Sequence, residues 1–204
     1  AFCTVAIPSA KVSEAEAVVK EYESIVRNEL AAVEPDMEIS LKEASSCDFV
    51  IDQDTAKRIV RAVYACPNGI YRMSDSMENL VETSSNLAIV KTDGDKIVAC
   101  ALLRSSVDTA KEDFAQMMAS VIELAGGKIE FTGGYPGWKP NMHSPILETM
   151  TTTYKKLFGR TPKVMAIHAG LECGLLGGVY KNWDMISFGP TIKHPHSPDE
   201  KVNI

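Results

Sequence analysis

Two periodicities alternate along this chain, and they divide it into two textures. "AFCTVAIPSA" switches between apolar and polar positions as a half-buried strand does. The run that follows sets Val18, Val19, Tyr22, Ile25 and Val26 at helical spacing. "KIVACALLRSSVDTAKEDFAQMMASVI" repeats the arrangement, with Phe114, Met117, Met118, Val121 and Ile122 on the helical stripe. This weak duplication predicts two strand–helix units. Ser13 with Glu16 three residues on reads as a capping box for the first helix, and Asp108 as an N-cap for the second. Gly126 and Gly127 mark where the second helix stops. Between the copies the pattern predicts a helix over 54–65, a strand over 70–73, and a hairpin. The hairpin joins "SSNLAIVK" to "KIVACALLR" through "TDGD", whose Asp-Gly is a strong turn signal. A short strand over 128–131 closes the series. Together these predict an antiparallel sheet covered on one face by two helices.

"TGGYPGWKPNMHSP" then packs Gly and Pro densely, the composition of a linker. Beyond it the pattern predicts a helix over 146–158, a strand over 163–167, a Gly-rich turn and a strand over 185–188. Strand–helix alternation belongs to an α/β sheet. The fold class expected is α+β, a first part able to bury its own core followed by an α/β segment that reads as a piece of a larger sheet.

Composition narrows the function classes. The 204 residues are 45% hydrophobic and 24% charged, an ordinary globular balance. A net charge of −6 gives no electrostatic footprint for nucleic acid or for a membrane surface. No basic-then-apolar signal segment opens the chain, nor does an initiator methionine, and a fragment of a longer protein is expected. Cys3, Cys47, Cys66, Cys100 and Cys173 show neither zinc-knuckle nor dithiol spacing and predict reduced thiols, with Cys3 and Cys100 buried inside strands.

Four places could carry chemistry, each with a plainer alternative. "KVMAIHAGLECG" runs an apolar strand into His168 and a Gly-flanked turn bearing Glu172 and Cys173. Ligands favour such strand ends, although His168 and Glu172 could simply satisfy each other or the turn. "HPHSPDE" offers His194 and His196 as metal ligands beside two acids, or a solvated tail. Arg104 ends a strand where the first copy has Ser9, so the repeat itself does not require it. A guanidinium there can bind a carboxylate bidentately, or make an ordinary surface ion pair. Asn86 on the partner strand could present an amide at the same end, or make a strand-edge hydrogen bond. Tyr135 and Trp138 in "GGYPGWKP" could pack an interface or touch a substrate.

At "ETSSNLAIV", "LLRSSVD", "GGYPGWKPN", "IHAGLECG", "DMISFGPTI" and "PHSPDE", in this order, the chain resembles the bacterial aminoacyl-histidine dipeptidases. These are also called peptidase D or cytosol non-specific dipeptidases, and are di-zinc metallopeptidases related to carnosinase, peptidase V and the carboxypeptidase G type. The resemblance implies a lid or dimerisation domain of ferredoxin-like type over 1–132, a linker over 133–140, and over 141–204 the C-terminal segment of the catalytic domain. It implies that His196 is the family's last zinc ligand, that Arg104 grips the carboxylate of a dipeptide, and that Glu172 lines the cleft, with Asn86 a further candidate contact. His194 lies outside the matching motif.

The resemblance also implies what this chain lacks. The family's His-x-Asp, bridging Asp, Glu-Glu pair and further Asp ligand fall upstream of Ala1. With them absent, the two zinc ions and the general base of metal-assisted hydrolysis are absent too. The expectations are therefore a cytoplasmic, homodimeric dipeptidase when intact, no catalytic residue in this chain, a metal-free His196, and no activity alone. Two other classes stay open: a self-contained dimerisation or substrate-binding module, and a hydrolase using Cys173 with His168 as a nucleophile pair.

Overall fold

The structure is a computed structural model that describes residues 1–45, 47, 49–168 and 171–204. Its contacts divide it into two units, Ala1–Ala56 and Lys57–Ile204. The architecture is α+β.

In the first unit a single turn of 3-10 helix, Ser9–Lys11, feeds helix α1, Val12–Glu29. The Lys11 N–H donates to the Pro8 carbonyl at 2.7 Å, so winding has begun before Ser13. Ser13 therefore lies inside the helix, no side chain caps it, and the expected Ser13/Glu16 capping box is not formed. Residues 1–8 adopt no regular structure, so the first copy of the repeat has its helix without its strand. An alternating pattern becomes a strand only where a neighbour completes its ladder, and these residues have none among those described. Cys3 is accordingly exposed, against expectation. Helix α2, Gln53–Ala65, begins at Asp52, whose Oδ1 accepts from the N–H groups of Asp54 and Thr55.

The second unit holds an antiparallel sheet in the order β1-β2-β3, with β1 Gly69–Met73, β2 Val81–Asp93 and β3 Lys96–Ser105. The turn between β2 and β3 places Gly94 at φ 61°, which is why glycine serves there. Helix α3, Asp108–Leu124, lies against this sheet and supplies most of the buried apolar core. Phe114, Met118 and Ala119 are buried on it, joined by Cys66, and Phe114 stacks on Tyr71 of β1 with centroids 4.5 Å apart. Cys100, expected to be buried, is exposed on β3, and Cys66 takes the interior place.

Asp108 does not cap α3. Val107 is the N-cap residue, and the Asp108 carboxylate instead accepts from Lys111 Nζ at 2.9 Å and from the Gly137 N–H at 2.8 Å. Lys111 also donates to the Tyr135 carbonyl at 2.6 Å. The linker is thus tied to the start of α3, and Gly137 packs against the backbone of Ser105 and Ser106.

Helix α4, Pro145–Phe158, forms where a helix is expected over 146–158. Ser144 accepts from the Leu147 N–H, proline occupies the first turn, and Gly159 closes the helix at φ 69°. Asp184 accepts from the Ile146 N–H at 2.9 Å and fixes the following loop to the same end. Helix α5, Glu172–Val179, replaces the expected Gly-rich turn. The strands expected over 128–131, 163–167 and 185–188 are not formed, because none of these apolar runs has a ladder partner among the described residues. A two-residue hairpin, β4 Ile192–Lys193 with β5 Lys201–Val202, carries the histidine motif in its loop.

Candidate functional site

The β2–β3 ladder decides which side chains share a face. Ser84 pairs with Arg104 and Asn86 with Leu102, so these four residues stand on one face of the hairpin. Thr83, Ser85 and Ser105 occupy the other face. Thr83 is fully buried with its hydroxyl 2.8 Å from that of Ser105, and Ser85 reaches Met118 Sδ on α3. Core and candidate site are therefore opposite faces of the same two strands.

His168 closes over the site face. Its Nε2 lies 2.7 Å from Ser84 Oγ, and its backbone carbonyl accepts from Arg104 Nη1 at 3.2 Å. The ring is held below its ordinary pKa of 6.5, first by burial and then by the Arg104 charge, while a hydrogen bond with the Val81 backbone opposes both. The result is a neutral imidazole at pH 7 beside a guanidinium. Arg104 has no carboxylate partner among the described residues. It lines an open cavity of about 1260 Å³ together with His168, Tyr135, Trp138, Met142, Tyr154, Met165 and Phe188. A largely apolar hollow with one cation on its wall suits a small ligand that carries a carboxylate.

The structure brings together only part of the expected set. Asn86 shares the Arg104 face but is exposed and does not line the cavity. Glu172 is the exposed first residue of α5 and is also off the cavity wall, although Leu171 and Gly174 on either side line it. Helix α5 docks on the linker through its glycines. A Cβ at Gly174 would stand 3.1 Å from the Pro136 carbonyl oxygen, and one at Gly178 only 2.7 Å from the Pro136 ring. The plainer alternative, a pairing of His168 with Glu172, is not made. Nor does Cys173 bond to His168, whose Nε2 faces Ser84. Ser84 itself was not legible as a candidate. Its signal, a serine directly opposite Arg104, requires the strand register.

His196 lies apart from these residues, exposed in the β4–β5 loop at φ 63°, with His194 at φ 54°. The His196 N–H donates to Glu200 Oε2 at 2.9 Å, so that carboxylate is engaged by the backbone. No group of three or more His, Cys, Asp or Glu residues able to hold a metal occurs among the described residues. One implied ligand does not make a zinc site. On the cavity wall Arg104 offers a cation suited to recognising an anionic ligand.

No protein-family model matches the chain. It is 39% identical over all 204 of its residues to the cytosol non-specific dipeptidase of Escherichia coli (strain K12), and spans 42% of that protein's length. The structure superposes on the crystal structure of aminoacylhistidine dipeptidase from Vibrio alginolyticus with a TM-score of 0.88 and 42% identity, covering 96% of this chain and 40% of that one. A likeness to aminopeptidase PepT from Bacillus cereus, with a TM-score of 0.54 and 20% identity over 72% of this chain and 40% of that one, shows shared fold alone. No helix among the described residues is long and apolar enough to cross a membrane. The chain is homologous, along its whole length, to about two-fifths of the cytosol non-specific and aminoacyl-histidine dipeptidases.

Proposed function

We propose that this chain is the lid and C-terminal portion of a zinc-dependent dipeptidase acting on Xaa-His and other unblocked dipeptides. The observation that carries the reading is the 39% identity to a dipeptidase over every residue of the chain. In this reading 1–132 form the lid and dimerisation domain, 133–140 the linker, and 141–204 the C-terminal segment of the catalytic domain. The intact protein is a cytoplasmic homodimer with two zinc ions, and His196 contributes one ligand to them. This chain alone carries no catalytic residue and is inactive.

Arg104 is the residue that recognises the substrate carboxylate. Its guanidinium on the cavity wall, without a carboxylate partner among the described residues, supports that role, because a planar fork meets a carboxylate through two parallel hydrogen bonds. Asn86 and Glu172 have a weaker claim. Each needs a rearrangement to reach the cavity, such as closure of the lid on substrate.

The test is Arg104→Ala in the dipeptidase of full length. KM for alanyl-histidine should rise about a hundredfold, the loss expected for a charged hydrogen-bonded pair, with zinc content unchanged. An unchanged KM removes Arg104 from the substrate site.

A further inference from the structure

Ser84 and Arg104 stand opposite each other across two strands, and His168 touches both through different groups. The imidazole meets Ser84 Oγ at 2.7 Å, and the backbone carbonyl takes the Arg104 Nη1 donor at 3.2 Å. An arginine at the exposed end of a strand samples many rotamers, and binding must then immobilise it. A fixed acceptor on one arm of the fork removes much of that freedom beforehand. The His168 carbonyl is such an acceptor only while its residue is held over the sheet, and its ring is held there by Ser84 Oγ beside a hydrogen bond with the Val81 backbone.

We propose that Ser84 and His168 are positioning residues for Arg104. The Ser84–imidazole tether holds the His168 carbonyl where it orients the guanidinium toward a carboxylate-bearing ligand in the cavity. This rests on the assignment of Arg104 as the carboxylate-binding residue. Neither Ser84 nor the His168 ring needs to touch the ligand. The serine hydroxyl can donate or accept, so it can serve as partner to the ring nitrogen that faces it.

The inference separates two quantities, the mobility of Arg104 and the affinity for a carboxylate. In the 204-residue chain, nitrogen-15 relaxation of the arginine Nε reports mobility without any ligand. Calorimetric titration with alanyl-histidine, and with its C-terminal amide, reports affinity. Ser84→Ala and His168→Ala should each raise Arg104 mobility and weaken alanyl-histidine about tenfold. The C-terminal amide should bind equally to wild type and both variants. Ser84→Thr, which keeps the hydroxyl, should restore affinity to within about threefold of wild type. In Arg104→Ala, a further Ser84→Ala should cost nothing more, because the two act as one unit.

Unchanged Arg104 mobility in Ser84→Ala overturns the positioning role, whatever the ligand does. Equal weakening of the dipeptide and its amide overturns it as well, since a merely structural role would produce that result. Wild-type affinity in Arg104→Ala, or no carboxylate-dependent binding by the wild-type chain, instead overturns the assignment of Arg104.

Discussion

Replacing Gly137 by alanine tests whether the linker is part of the folded body or a tether between elements. A Cβ at this position would stand 2.6 Å from the carbonyl carbon and oxygen of Ser106 and 2.9 Å from the Ser105 carbonyl oxygen. Ordinary carbon contacts need about 3.5 Å, and these neighbours are backbone at the junction of β3 and α3, so no rotamer relieves the overlap. The linker must move, and the Gly137 N–H then leaves Asp108 Oδ1, now 2.8 Å away. Overpacking of this kind costs about 1–3 kcal/mol. The half-exposed hydrogen bond adds about 1 kcal/mol. Gly137→Ala should therefore destabilise the chain by about 2–4 kcal/mol, read as a lower midpoint of urea unfolding at unchanged m-value. Gly134→Ala is the control, because its Cβ would meet nothing within 4 Å.

The same substitution should be visible at Asp108. Burial alone would raise that carboxyl, but the Gly137 N–H and the Lys111 ammonium outweigh it and hold the pKa below the ordinary 3.8. Stability from this group is present above 3.8 and is lost as pH falls through the lower folded value. In Gly137→Ala the carboxyl should titrate at higher pH. A loss of stability below about 0.5 kcal/mol, equal to that of an ordinary surface change, refutes the close approach.

Arg72→Ala should destabilise by about 1–2 kcal/mol, because Arg72 Nε lies 3.3 Å from the carboxylate of Glu82, which is buried. Glu82→Gln in the same chain should recover part of that loss, and a neutral result for Arg72→Ala in urea unfolding would contradict the pairing. The His168 ring should titrate below 6.5, and Arg104→Ala should move the midpoint upward by removing one of its causes. The folded state binds this proton less readily than the unfolded chain, so its stability contribution is complete above 6.5 and falls as pH drops from 6.5 through the folded value. Imidazole NMR with a midpoint above 6.5 would contradict the arrangement.

Elements that carry their own chemistry were legible from residues alone. The β2–β3 hairpin follows from its Asp-Gly turn, α4 from the pattern over 146–158, and the buried face of α3 from Phe114 and Met118 at helical spacing. Elements that depend on a neighbour were not. Residues 1–8, 163–167 and 185–188 have strand patterns but no ladder partner among the described residues, and an extended pattern cannot name its partner. The sequence of α5 predicts a turn, because Gly174, Gly177 and Gly178 disfavour helix in isolation. Packing reverses that preference, since Gly174 and Gly178 are spaced by one helical turn and let the helix approach Pro136. Arg104 could be found as a cation the repeat did not require, but His168 could not be joined to it without the register that sets Ser84 opposite Arg104. For His196 the residues left ligand and tail equally open, and the resemblance supplied the choice. Its loop is exposed with Glu200 engaged by the backbone, and no group of three candidate metal ligands occurs among the described residues.

In the proposed function this chain binds dipeptides and does not hydrolyse them alone. The direct measurement is release of histidine from alanyl-histidine by the purified 204-residue chain with added zinc. The account predicts no release above the rate in buffer with zinc alone. Sustained turnover proportional to the concentration of the chain would contradict it.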